Sequence, residues 1–359
     1  MKILFYINIM SGGGAERVIA NLANYMQYHG HDVTVVNTFP TEKEYHLSAG
    51  IDHVYLEDEK STARRLIRNI TLIKNLRKII KTKNPDVAVS FMREPNWRLI
   101  LSTVGLSVKR LVSQRVTPEH EDGRFPKSFI LRYPLKKADG IVFQTDHARD
   151  YFDDSIKSHS RIILNPVKNE IYDISYSGER KNIVTAGRLS TIKNQLMLIN
   201  AFAKIADTTE DNLLIYGEGD LRNNLQSRIN ELNMQDRIFL MGNSSKLHEE
   251  IKSAKIFVLS SNLEGLPNAL MEAMAIGLPC ISTDCLGGGA RMVLDDGENG
   301  FIVPVKDADA MAEKLSYVLS LSPDEREILG QKAKITANGF KADEVCKQWE
   351  NYMEYLIKN

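Results

Sequence analysis

Cysteine, long apolar runs and net charge are scarce in this chain, and each scarcity closes off a class of function. The 359 residues include 3 cysteines, Cys280, Cys285 and Cys346. An odd count without metal-ligand spacing predicts neither a disulfide framework nor a zinc site and fits a reducing cytosol. No stretch approaches the about 18 uninterrupted apolar residues of a membrane span. Met1 leads straight into the strand-like residues 2–9, too short and wrongly flanked for a signal peptide, so a cytoplasmic protein is expected. Basic and acidic side chains cancel at 46 each, yet unevenly. Residues 1–170 carry 26 Lys and Arg against 19 Asp and Glu, and the remainder 20 against 27. The first half is therefore expected to face something anionic, such as a membrane surface or a phosphorylated acceptor. Its basic residues are spread out and lack interleaved aromatics, which argues against nucleic acid. Internal repeats and low-complexity tracts are absent.

What fills the chain is alternation. Short apolar strands are predicted at 2–9, 32–37, 86–91, 110–114, 139–144 and 161–164, with helices at about 14–29, 62–83, 96–104, 127–137 and 145–153. Pro166 stops the last of these strands, and the polar residues 168–180 read as a linker. A second series of strands follows at 181–186, 212–216, 237–241, 256–260, 279–282 and 300–303, with helices between. This is the pattern of parallel α/β sheets, two Rossmann-like domains in tandem. Residues 323–359 read as purely helical, the last part of them, from Phe340 on, packing back on the first domain.

The most telling segment is Glu264-Gly265-Leu266-Pro267-Asn268-Ala269-Leu270-Met271-Glu272. Gly265 and Pro267 end the strand before it and let a helix start, proline being tolerated in a first turn. Glu264 is then expected beside the free N–H groups of that start, with Glu272 along the helix roughly 9–12 Å away at 1.5 Å per residue. The spacing suits a nucleotide sugar: one carboxylate for hexose hydroxyls, one for ribose, helix-end N–H groups for the diphosphate. Alone, the pair also reads as the polar face of an ordinary helix. Upstream, Arg188 and Lys193 flank the turn after the strand at 181–186, where open α/β sheets bind ligands. Two cations there would stabilise a departing diphosphate, although solvated surface charges are an equal reading of the two alone. Ser11-Gly12-Gly13-Gly14-Ala15-Glu16-Arg17 follows the first strand, and its glycines either present N–H groups to an anion or make a tight turn. The spacing is not Gly-x-Gly-x-x-Gly, which sets aside a nicotinamide-dependent oxidoreductase. Asp307-Ala308-Asp309, the one short Asp-x-Asp, reads as N-terminal charge on a helix, so no metal site is expected.

Together these residues resemble the retaining family-four glycosyltransferases of the GT-B fold. The resemblance covers nearly the whole chain: the glycine-rich start, Asn165-Pro166-Val167, Gly187-Arg188-Leu189 with Lys193-Asn194, Gly217-Glu218-Gly219-Asp220-Leu221, the Glu264 to Glu272 element, and Asp296-Gly297-Glu298-Asn299-Gly300. It implies an α/β architecture of two Rossmann-like domains facing each other across a cleft. Residues 1–167 would bind the acceptor and 168–339 the nucleotide-sugar donor, with a C-terminal helix, 340–359, crossing back. It also implies roles. Glu264 would hold the donor sugar, Glu272 the ribose, and Arg188 and Lys193 the diphosphate. Gly265, Leu266, Pro267 and Asn268 would line the donor, backbone at Gly242 and Asn243 would hold the base, and Gly13 and Gly14 would close over donor and acceptor. Many relatives carry a histidine at the end of the fourth strand of the first domain. Here Gln114 or Arg115 stands in that place, Arg115 as a contact to donor sugar or phosphate that does not titrate near neutral pH. His120, five residues on, reads as a solvated loop residue.

The implied activity is metal-independent, retaining sugar transfer from a nucleotide diphosphate donor, in the first instance UDP-linked, to a lipid-linked or polysaccharide acceptor. Some of the similar bacterial enzymes transfer N-acetylgalactosamine, an N-acetylhexosamine. No cofactor is expected. A nucleotide-sugar epimerase of the same architecture and a non-catalytic nucleotide-sugar binding protein stand as alternatives. The helix at 62–83 carries Arg64, Arg65, Arg68, Lys74, Arg77, Lys78, Lys81 and Lys83 among leucines and isoleucines. It either rests on anionic lipid, at the inner face of the cytoplasmic membrane, or packs on its domain with the charges merely solvated.

Overall fold

The computed structural model describes residues 1–58, 65–115 and 127–359, and divides them into two units, Met1–Pro166 with Ala342–Asn359, and Val167–Lys341. In chain order the first unit runs β1 (Lys2–Ile7), α1 (Gly14–Tyr28), β2 (Asp32–Asn37), β3 (Asp52–Tyr55), α2 (Arg65–Lys83), β4 (Val87–Phe91) and α3 (Arg93–Ser102). It continues through β5 (Lys109–Ser113), α4 (Lys127–Lys137), β6 (Gly140–Phe143), α5 (Asp146–Asp150), α6 (Asp154–Lys157) and β7 (Ser160–Ile162). The second unit holds α7 (Asn169–Tyr172), β8 (Ile183–Ala186), α8 (Gln195–Ile205), β9 (Leu213–Tyr216), α9 (Arg222–Glu231), β10 (Ile238–Gly242) and α10 (Leu247–Ile251). After these come β11 (Ile256–Leu259), α11 (Asn268–Ile276), β12 (Cys280–Thr283), β13 (Phe301–Val303), α12 (Ala308–Ser320) and α13 (Pro323–Ala337), and α14 (Ala342–Lys358) returns to the first unit.

Both units are parallel sheets, ordered β3-β2-β1-β4-β5-β6-β7 and β10-β9-β8-β11-β12-β13. Each strand of β1 type is buried on both faces, so alternate residues serve two cores. Ile3, Phe5 and Ile7 pack with α1 and with Trp349 of α14, whereas Leu4 and Tyr6 pack with α2 and α3 on the opposite face. In the second unit Ile183, Ile215 and Val258 pack against Met197, Leu198 and Phe202 of α8 and Met311 and Leu315 of α12. Helix starts are set locally. Asp307 accepts from the Asp309 and Ala310 N–H groups, and Ser322 with Glu325 makes a reciprocal cap at α13, with Pro323 in its first turn. The Asp307-Ala308-Asp309 motif is thus a helix cap.

Several expectations change. β3, a polar four-residue strand, is absent from the sequence reading and exists because it pairs with β2. Residues 169–172 form a helix whose Ile171 and Tyr172 are buried in the second unit, so the start of the expected linker is part of that core. The helical run after 323 is interrupted: Asn338–Phe340 is a 3-10 turn, Lys341 bridges to Val167, and Phe340 is buried before the chain returns as α14. The helix expected at 340–359 therefore begins at Ala342. Arg64 and His120 lie outside the described residues. Among the described residues, no helix is long and apolar enough to cross a membrane.

A buried charge braces the second sheet at the opposite end from its ligand loops. Asp211 accepts from the Asn182 N–H at 2.8 Å and from Lys255 Nζ at 2.7 Å. Burial alone would push its carboxyl up, but the Lys255 ammonium and the Asn182 N–H outweigh it and hold the pKa below its ordinary value. A depressed folded-state pKa stabilises the fold above the unfolded value of about 4 and ceases to do so as pH falls through the folded one. Asp211→Asn is expected to cost about 1.5–3 kcal/mol at pH 7. In urea melts that gap should close toward pH 3; a gap that persists in acid would mean the charge is not what stabilises.

Candidate active site

In each sheet the strand order reverses beside the first strand, at β1/β4 and at β8/β11. A crevice outside the carboxyl ends of such a pair is where open α/β sheets hold ligands. In the second unit those ends carry Arg188 and Lys193 after β8, and Glu264 after β11. Lys193 Nζ donates to Glu264 Oε1, which also accepts from Ser261 Oγ at 2.9 Å. The two residues are 71 positions apart in sequence. Their side chains are 25% and 14% exposed, enough desolvation for pairing to relieve the cost of burying either charge. Glu264 therefore meets Lys193 and Ser261, and not the helix-start N–H groups expected for it. Arg188 is exposed, its carbonyl accepts from Gln195 Nε2 at 3.0 Å, and among the described residues its guanidinium has no ion-pair partner.

Backbone fixes this corner. Asn262 N–H donates to the Ile192 carbonyl at 2.7 Å and Asn262 Nδ2 to the Thr191 carbonyl at 2.9 Å, tying the two strand-end loops together. Asn194, in the left-handed conformation at φ 49°, reaches Asn262 Oδ1 at 3.0 Å and precedes α8. On the other side the Gly265 carbonyl packs against Gly289 so closely that a Cβ there would lie 1.7 Å from it. Gly265, Leu266, Pro267 and Asn268 form the turn into α11, with Leu266 buried and Pro267 at the N-cap. Cys285 lies nearby, its thiol pushed up to about 11 by burial and, second, by the Glu264 charge.

Glu272 sits on α11 and is buried, at 8% exposure. Its Oε2 lies 3.0 Å from His248 Nε2 of α10. Sequence reasoning missed His248: α10 has only five residues, and nothing in the spacing of 248 and 272 signals their contact. Gly242 ends β10 at φ 77°, and its carbonyl accepts from Gly217 N–H at 2.8 Å. Gly217 itself, at φ 129°, leaves no room for a side chain, since a Cβ would meet the Gly187 carbonyl at 2.0 Å. The loops after β8, β9 and β10 thus close on one another through glycine backbone, bringing Arg188, Gly217 and Gly242 to one rim, with Asn243 the residue after.

The first unit holds the remaining candidates. Gly13 precedes α1, its carbonyl accepts from Tyr45 Oη at 3.2 Å, and Glu16 folds over it; Gly14 is the first helical residue. Burial pushes the Glu16 carboxyl up. Arg115 follows β5 and turns inward. Its Cζ lies 4.0 Å from the Phe91 ring centroid and 5.7 Å from that of Trp349, and Nη1 donates to Asn165 Oδ1 at 2.6 Å. Nε and Nη2 are enclosed without a hydrogen-bond acceptor among the described residues. Burial pulls its pKa down to about 9, so the guanidinium is still charged at neutral pH, held by the faces of two aromatic rings. The neighbouring Gln114 is buried.

Comparisons with known proteins bear on the family and the fold. Residues 12–170 match the family model "Glycosyltransferase Family 4" and residues 168–336 match "Glycosyl transferases group 1". The chain is 28% identical to the Campylobacter jejuni GalNAc-alpha-(1->4)-GalNAc-alpha-(1->3)-diNAcBac-PP-undecaprenol alpha-1,4-N-acetyl-D-galactosaminyltransferase, over 97% of each chain. It is 24% identical to the N-acetylgalactosamine-N,N'-diacetylbacillosaminyl-diphospho-undecaprenol 4-alpha-N-acetylgalactosaminyltransferase of the same organism, over 98% of this chain and 99% of that one. Among solved structures, HepE of Anabaena in complex with UDP superposes with a TM-score of 0.82 at 14% identity, covering 99% of this chain and 100% of that one, a likeness of fold. The chain belongs to the family-four glycosyltransferases and has the two Rossmann-like units of the GT-B fold.

Proposed function

We propose that this glycosyltransferase moves an N-acetylhexosamine from a UDP donor to a lipid-linked glycan, with retention at the anomeric carbon and without a metal ion. The observation that carries the donor assignment is the Lys193–Glu264 pair at the β8/β11 crevice, beside the exposed Arg188. In this reading Arg188 and Lys193 neutralise the charge that develops on the diphosphate as the bond from its oxygen to the anomeric carbon breaks. Glu264 anchors donor-sugar hydroxyls, Glu272 takes the ribose, and the rim at Gly242 and Asn243 takes the base. The acceptor hydroxyl attacks from the face the diphosphate leaves, through an oxocarbenium-like transition state, and its proton passes to a departing phosphate oxygen. The two cations supply the charge that a metal would otherwise bring. Support for a lipid-linked acceptor comes from the undecaprenol-linked substrates named for the two Campylobacter relatives. The basic helix α2 would hold the enzyme on an anionic membrane, at its cytoplasmic face.

The test combines UDP- and GDP-linked sugars with the full chain, with and without a polyprenyl-diphosphate-linked glycan. Nucleotide release is followed, and the product anomer read by NMR. We expect UDP release to rise about tenfold or more when acceptor is added, an α-donor to give an α-product, and chelator to change nothing. Sugar epimerised without acceptor, or donor bound without turnover, would overturn the assignment.

A further inference from the structure

Helix α2 does not bury its whole apolar side. Leu72, Leu76 and Ile80, one face at four-residue spacing, are at most 2% exposed, but in its first two turns Leu66, Ile67 and Ile70 are 74%, 58% and 47% exposed. Between this end and α3 runs a cavity of about 390 Å³ whose walls are mainly Leu66, Ile70, Ile73, Trp97 and Leu101. Trp97 stacks on Tyr133 of α4, ring centroids 5.0 Å apart, and Phe129, 48% exposed, lies 5.8 Å from Trp97. Arg98 and Glu94, paired at 3.4 Å, line the polar edge of the cavity, and Arg98 donates to Asn8 Oδ1, one residue past β1, at 2.6 Å. Through Arg98 the groove is tied to the carboxyl end of the first sheet, where such folds meet their ligands. The helix that forms its wall has seven Lys and Arg and no acidic residue between 65 and 83. Arg68 is paired with Glu57 and Lys83 with Asp52, while Lys74, Lys78 and Lys81 are exposed.

An apolar trough walled by a purely cationic helix complements one kind of molecule, a hydrocarbon chain joined to an anionic head. We infer that the groove between α2 and α3 holds the first isoprenoid units of the lipid diphosphate that carries the acceptor. This rests on the lipid-linked acceptor proposed above and adds a protein-bound seat for the hydrocarbon itself, distinct from simple adsorption of α2 to a bilayer. The chain would lie against the Trp97 ring, with the diphosphate toward the lysines of α2.

Trp97 is a built-in reporter, since the only other tryptophan, Trp349, is fully buried in the opposite core of the unit. Farnesyl diphosphate, titrated into the full chain below its micelle concentration, should shift tryptophan emission saturably, and Trp97→Phe should abolish the shift. Inorganic pyrophosphate should leave emission unchanged. Ile70→Glu, at an exposed position that leaves the fold intact, should weaken farnesyl diphosphate binding about tenfold or more, because a charge would need desolvation along the groove. An equal response to pyrophosphate, or an Ile70→Glu variant that binds like the parent, would overturn the inference. So would a shift produced by anionic vesicles but not by farnesyl diphosphate, which would make the face a membrane patch. If instead the prenyl diphosphate binds here but transfer runs only to lipid-free glycans, the groove stands and the acceptor assignment falls.

Discussion

Lys193→Met and Glu264→Gln are each expected to lower kcat/KM by about a thousandfold, and the double variant to lose little more than either alone. Both residues lie at the same point of the β8/β11 crevice, where the proposed function has them act as one unit, and Glu264 Oε1 is shared between Lys193 and Ser261. Removing the ammonium takes away a preorganised positive charge from the departing diphosphate, worth about 10²–10³ in rate for a single donor of this kind. It also leaves a half-buried carboxylate without its partner, which would repel the donor. Removing the carboxylate unties the lysine and deletes the anchor for the sugar. Residues that work as one unit give grossly non-additive losses. Steady-state kinetics of the three variants decide it. Losses that multiply in the double variant would mean that the two residues contribute independently, and variants that keep parental kcat/KM would mean that the pair is a surface salt bridge and that catalysis lies elsewhere.

The second large effect comes from a residue with no functional group. Gly289→Ala would place a Cβ 1.7 Å from the Gly265 carbonyl oxygen and 2.8 Å from Pro267 Cδ. The first clash is with backbone, so no rotamer change relieves it, and the Gly265 to Pro267 turn must move by more than an ångström. That turn carries Glu264 at one end and starts α11, with Glu272, at the other. A displacement of about 1 Å is enough to cost a hundredfold in rate, and that is the loss expected in kcat/KM. Gly339→Ala is the control: nothing lies within 4 Å of its Cβ position, and activity should be unchanged. A Gly289→Ala enzyme with full activity would mean that the Gly265 turn does not position the carboxylates.

Much of the architecture was readable before any coordinates. Strands at 32–37 and 183–186 stand where β-branched runs placed them, within one or two residues, because strands buried on both faces favour such residues. What escaped were elements that exist only through neighbours. β3 (Asp52–Tyr55) has no pattern of its own and is a strand because β2 offers it hydrogen-bonding groups. α7 is a single turn fixed by burial of Ile171 and Tyr172. His248 reaches Glu272 only because α10 packs on α11, and the packing of Arg115 on Phe91 and Trp349 joins residues far apart in sequence.

From the order of its residues alone, this protein was committed to two parallel α/β sheets, with glycines and cations at particular strand ends and carboxylates at either side of one helix start. Periodicity and turn chemistry are local, and they act wherever the residues are. Which of those groups share a volume was decided by tertiary structure. β8 and β11 become neighbours only when the sheet forms with its strand order reversed beside β8, and that adjacency brings Lys193 to Glu264 across 71 residues. Once both charges lie at the same half-buried strand ends, the cost of desolvating either one separately leaves them paired.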